Sequence, residues 1–202
     1  MELKLTELVR LLPRRTTSAL FAGPSQVRAY WEGLRRDGGV PDRTQLDPRG
    51  FGGVLDRVFL AERIGKGLVQ VRIAGSALTE AAGMDLRGLP LSCLFAAESR
   101  DLLAEALEPV AEGRMLTELD LGANRGGPGA VGRLLLLPLT DGPDRRLVLG
   151  CLGLADGLIG PRLKLTILRR QEERLTAEAP PQPVIVAPAR RTPYLKLVHA
   201  RG

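Results

Sequence analysis

The stretch Leu116–Leu154 (LTELDLGANRGGPGAVGRLLLLPLTDGPDRRLVLGCLGL) decides the fold. Its apolar residues either alternate or run unbroken in three blocks of strand length, Leu116–Leu121, Val131–Leu139 and Leu147–Leu154. The links between them, Gly122–Gly129 (GANRGGPG) and Thr140–Asp144, carry turn residues and are too short for a crossover helix. Successive strands joined in that way run antiparallel. Leu134–Leu137 is apolar at four positions in a row, so this strand must be covered on both faces.

Upstream, Val54–Ile64 (VLDRVFLAERI) is strand-like and Gly65-Lys66-Gly67 is a turn. Leu68–Ala74 then alternates at Val69, Val71 and Ile73, which predicts a hairpin. Gly75–Phe95 holds short helical pieces broken by Gly83, Gly88 and Pro90. Ala97–Glu112 is a helix with Leu102, Leu103, Ala106, Leu107 and Val110 inward and Gly113 past its end. The order has no repeated β-α-β unit. It predicts an α+β domain with a five-stranded antiparallel sheet, helices covering one face.

The other face needs a cover. A helix from an N-cap at Ser25 to the Gly38–Gly39 pair presents Val27, Tyr30, Trp31 and Leu34 on one side. That stripe either packs on its own sheet or forms an interface with a second copy or partner, the first reading being favoured. Before it, Leu5, Leu8, Val9 and Leu12 keep helical spacing up to Pro13, and Arg14–Pro24 reads as a linker. After the sheet, the second half of Pro161–Glu178 reads as a charged helix. Five prolines in Ala179–Gly202 predict an irregular tail around two apolar islands, Val184–Val186 and Tyr194–Val198. The expected organisation is 1–24 helix and linker, 25–157 domain, and 158–202 basic Pro-rich extension.

Composition narrows the chemistry. Of 202 residues, 44% are apolar and only 3% aromatic, so the core must be built from Leu, Val and Ala. The net charge of +6 is all in residues 161–202, since acids and bases balance over 1–160. A neutral body with a basic tail gives nucleic acid at most the tail to hold. Apolar runs such as Leu134–Leu137 fall far short of the ~20 residues of a membrane span. One His and two Cys leave no His-built metal set and no disulfide framework, and two reduced cysteines far apart suit the cytoplasm. Cys93 and Cys151 lack a CxxC partner, so Cys151 reads as a small core side chain. Gly122–Gly129 precedes a strand rather than a helix and cannot cradle phosphate. Glu118 and Asp120 share one strand face, read as a solvated edge, with no positioned second group for acid–base work. No catalytic or metal residue is assigned.

The order of elements carries a resemblance. Tyr30-Trp31, Pro41-Asp42-Arg43, Leu46-Asp47-Pro48, Leu55–Arg63, Arg72–Gly75, Gly83-Met84, Leu86-Arg87-Gly88, Leu91–Phe95 and Leu134–Leu139 together resemble a PAS domain, close to the small bacterial stand-alone PAS family. The resemblance implies a sensory and protein-interaction module with a cavity between the sheet and the central helices. It gives no support for flavin or haem: Cys93 lacks the neighbourhood of a photosensor cysteine, and the single His199 lies near the C-terminus. With few rings available, the cavity is expected to be small, apolar and without a cofactor. Its expected lining is Val71, Ile73, Leu94, Phe95, Leu103, Leu119 and Leu135. Functionally this implies a non-catalytic regulator acting through a protein partner or as a homodimer, with a small apolar ligand as the candidate tuning signal. The alternative is a nucleic-acid-associated regulator using the basic tail.

Overall fold

A computed structural model describes residues 15–124, 129–155, 158 and 162–175. Six strands form one antiparallel sheet in the order β2-β1-β5-β4-β3-β6. They are β1 Val58–Gly65, β2 Leu68–Ala74, β3 Met115–Ala123, β4 Gly132–Asp141, β5 Arg145–Leu154 and β6 Leu165–Arg174. The helices are α1 Arg15–Leu34, α2 Ser76–Ala82 and α3 Arg100–Ala111.

The expected α+β class and antiparallel sheet are present, with one strand more than expected. Leu165–Arg174 is β6, paired with β3 from Met115↔Arg174 to Ala123↔Leu165, and its last residues belong to the half of Pro161–Glu178 expected as a charged helix. The β3 edge offers a complete ladder, and Leu165 and Ile167 sit two apart, so both reach the inner core. The charged run Arg169–Arg174 then lies on the free edge, where charge discourages further strand addition. Half of the C-terminal +6 therefore lies in the described segment around β6, because residues 162–175 carry five bases and two acids.

Two other boundaries differ. The linker read at Arg14–Pro24 lies almost wholly inside α1, which continues through Pro24. A helical proline loses one backbone bond at about 3 kcal/mol. Burial of Val27 and Trp31 against the sheet outweighs that local preference. The strand expected from Val54 starts at Val58, because Pro48–Arg57 forms 3-10 turns kinked at Gly52 (φ 54°, ψ −135°).

The two sheet faces carry separate cores. On the inner face, Phe59, Ala61, Val69, Val71, Leu119, Leu121, Leu134, Leu136, Val148 and Leu152 pack against α2 and α3. Leu102, expected inward, is 44% exposed; Leu103, Ala106, Leu107 and Val110 make the inner side of α3. On the outer face, Leu60, Leu135, Leu137, Leu139, Leu147, Leu149 and Cys151 pack under Val27 and Trp31 of α1. The segment before β6 seals the inner core: Leu163 and Leu165 are buried, Leu163 N–H donates to the Ala81 carbonyl, and Lys164 Nζ donates to the Cys93 carbonyl.

Beyond its apolar half the outer face turns polar. Arg133 on β4 bonds Asp120 (2.7 Å) and Glu118 (2.9 Å), and Arg28 of α1 bonds Glu118 (3.3 Å) and Glu173 of β6 (2.5 Å). Glu118 and Asp120 do share a face, as alternation requires. They are not on a solvated edge, because β6 moves β3 inside the sheet and their side chains are only 18% and 15% exposed.

Candidate functional site

An open groove of about 780 Å³ lies on the outer face, beside the part of the sheet that α1 does not cover. Its apolar lining comes from Phe51 and Leu55 of the 3-10 segment, Val58 and Leu60 of β1, Ile73 of β2 and Leu149 of β5. Arg43, Thr44, Asp56, Ser76 and Asp141 form the polar part of the lining. Leu55 and Ile73 are 47% and 54% exposed, while Phe51, Val58 and Leu60 are nearly buried.

Local chemistry builds the wall opposite the sheet. Asp42 caps a short 3-10 turn: its carboxylate accepts from Thr44 N–H (3.0 Å) and Thr44 Oγ1 (2.7 Å), and its N–H donates to Gln45. The other carboxylate oxygen accepts from Thr140 Oγ1 and Gly142 N–H, pinning the loop to the β4–β5 turn. These bonds, Thr44's first, hold Asp42 down at a pKa of about 2. Asp47 caps the next segment through Arg49 N–H. Tyr30 packs edge-on to Phe51 (4.9 Å between ring centres), accepts from Asp47 N–H and donates to the Asp47 carbonyl. At the far end Gly75 lies so close to the Asp56 carbonyl that a Cβ there would stand 2.1 Å from its oxygen.

The charges at one end of the groove are already paired. Asp141 meets Arg145 (2.7 Å) and Arg43 (3.7 Å), and Glu62 meets Arg145 and Arg72, each at 2.8 Å. The Arg145 hydrogen bond, supported by Arg72, lowers the Glu62 carboxyl to about 2. A carboxyl depressed in the folded state contributes stability above its unfolded pKa and loses it as pH falls toward the folded one. Glu62→Gln should therefore cost stability at pH 6, and the deficit should shrink as pH falls from about 4.5 toward 2. Urea melts of both proteins at pH 6, 4 and 3 read this directly.

The residues expected to line an inner cavity divide between the two faces. Val71, Leu94, Phe95, Leu103 and Leu119 lie together in the inner core, each 3% exposed or less. Ile73 does not join them. The register steps from Leu60↔Ile73 to Ala61↔Val71, so Arg72 is an extra residue in a bulge that turns Ile73 to the outer face. Leu135 is also on the outer face, under α1, because it alternates with the inner Leu134 and Leu136. Of the stripe read as cover or interface, Val27 and Trp31 are fully buried within the fold, so neither is free to meet a second copy. Tyr30 and Leu34 are half-buried. Burial pushes the Cys151 thiol up to about 12, consistent with an inert core side chain. Among the described residues, no group of three or more His, Cys, Asp and Glu could hold a metal.

A family model described as PAS domain matches residues 22–153, about two thirds of the chain. The chain belongs to the PAS domain family. Membership makes it a sensory or regulatory module of a class that commonly mediates protein interactions and dimerisation. No curated protein and no solved structure matches it. The PAS match ends at residue 153, before β6, so the sixth strand is an addition to the matched region. No helix among the described residues is long and apolar enough to cross a membrane. Sequence reasoning missed Phe51, Val58, Leu60 and Leu149 as groove residues. The signal was in Val58–Ala61, four apolar positions in a row, which demand cover on both faces of β1.

Proposed function

We propose that this PAS module is a non-catalytic cytoplasmic regulator that acts by binding another protein in trans through the outer-face groove. The observation that carries the reading is the pair Leu55 and Ile73, exposed on one groove whose floor is apolar. Exposed apolar surface framed by polar groups is characteristic of interaction sites. Because the charged groove residues Arg43, Asp56 and Asp141 already have partners, recognition rests on apolar contact, and an amphipathic segment is the matching occupant. The volume falls in the range of small-ligand sites, yet a ligand there would leave much of its surface in water. This favours a protein over an apolar metabolite.

Ile73→Asp puts a charge into the groove without touching either core. It is expected to change unfolding free energy by no more than about 0.5–1 kcal/mol, as other exposed substitutions do. Affinity capture at near-endogenous levels should then recover a defined partner with the intact chain and at least tenfold less with Ile73→Asp. Equal recovery with both, or no specific partner with the intact chain, would overturn the reading.

A further inference from the structure

We propose that in the isolated chain the groove is filled by the chain's own segment Tyr194–Val198 (YLKLV), which a partner must displace. The inference rests on the groove being a docking surface.

Leu175, the last described residue, packs against the outer core, on the face that carries the groove. Its height along the strands is set by the registers. Glu172 and Leu136 both oppose Thr117, which places Leu175 level with Leu139; Leu139 opposes Leu147, and Leu147 opposes Glu62. That is the end of the sheet where Asp141 and Arg43 border the groove. The remaining separation is sideways, four to five strand steps from β6 to β1 and β2. At ~4.8 Å per step this is roughly 19–24 Å.

Reach selects between the two apolar islands. A Pro-rich segment extends about 3.1 Å per residue. Val184 lies nine residues beyond Leu175, a limit of about 28 Å, which covers a straight crossing and leaves almost nothing for passing α1 and the loop after it. Tyr194 lies 19 residues beyond Leu175, a limit of about 59 Å, which allows the detour. Extended, Leu195 and Leu197 share one side and Tyr194, Lys196 and Val198 the other, so one side offers two aliphatic groups to the apolar floor. The tether supplies an effective concentration on the order of millimolar, so even a weak contact is occupied.

The test uses the full chain with Cys93→Ser, a nitroxide on Lys196→Cys, and methyl-labelled Leu and Ile. The proposal expects the Leu55 and Ile73 methyl signals to lose more than half their intensity relative to the reduced nitroxide. The exposed Leu102 on α3 and Leu168 on β6 should keep theirs. Leu195→Asp with Leu197→Asp should restore the Leu55 and Ile73 signals. Full intensity at Leu55 and Ile73 in the nitroxide chain overturns the proposal. So does loss that survives the two Asp substitutions. A mixture of nitroxide chain and separately methyl-labelled chain should show no loss; equal loss there makes a second copy the occupant and also overturns it. The readout needs no trans partner, so its failure is distinct from failure of partner capture.

Discussion

Trp31→Ala is expected to lower the unfolding free energy by about 3–5 kcal/mol, the range for a large buried ring cut to a methyl group. Trp31 is fully buried between α1 and the sheet, and its indole N–H donates to the Pro138 carbonyl at 2.9 Å. That bond resolves a problem in β4. A proline near the middle of a sheet has no N–H for the ladder. The β3–β4 pairing stops at Thr117↔Leu136, two residues short of Pro138, and the carbonyl left over is taken by the indole. The substitution removes packing and strands a buried acceptor together. Urea unfolding at two protein concentrations is the measurement. A loss independent of concentration is expected, and a loss confined to dilute samples would instead place Trp31 in a contact between copies.

Gly150→Ala should be nearly as damaging. Gly150 lies directly opposite Phe59 across the β5–β1 ladder, and a Cβ at this position would stand 2.0 Å from the Phe59 ring. Phe59 is fully buried in the inner core, so the ring cannot move out into solvent. Overpacking of this kind costs about 1–3 kcal/mol, and the depth of the overlap puts this case near the upper end. Removing the ring should relieve it. In a Phe59→Leu background, Gly150→Ala should cost less by about 1 kcal/mol or more, a coupling that a four-protein denaturation cycle reads. Simple addition of the two effects would mean that the ring and the glycine do not share the space.

The sheet was legible because strand length and link length were both on the surface of the sequence. Leu68–Ala74 is β2 residue for residue, and the turn at Gly65-Lys66-Gly67 lies where its glycines put it. The helix carrying Val27 and Trp31 was legible as cover for the face demanded by Leu134–Leu137. What failed has local physical causes. Period-two reading carried Ile73 to the wrong face because a bulge at Arg72 leaves no mark on the apolar pattern. RQEER suits a charged helix by composition, and only the unpaired β3 edge, a tertiary fact, makes it part of a strand. Pro24 argued for a break that tertiary packing overrode. The groove was hidden for the same reason as the bulge. It exists because Ile73 turns outward, and because α1 covers β4 and β5 but leaves the β1–β2 corner open.

We propose the open corner of the outer face as the place where this PAS module meets a partner. Photo-cross-linking in cells from a benzoyl-phenylalanine placed at Ile73 tests it most directly, with the same probe at Leu168 on the β6 edge as the exposed control. A discrete, higher-mass cross-linked protein is expected from position 73 and none from position 168. The same products from both positions, or a product from position 168 alone, would contradict it.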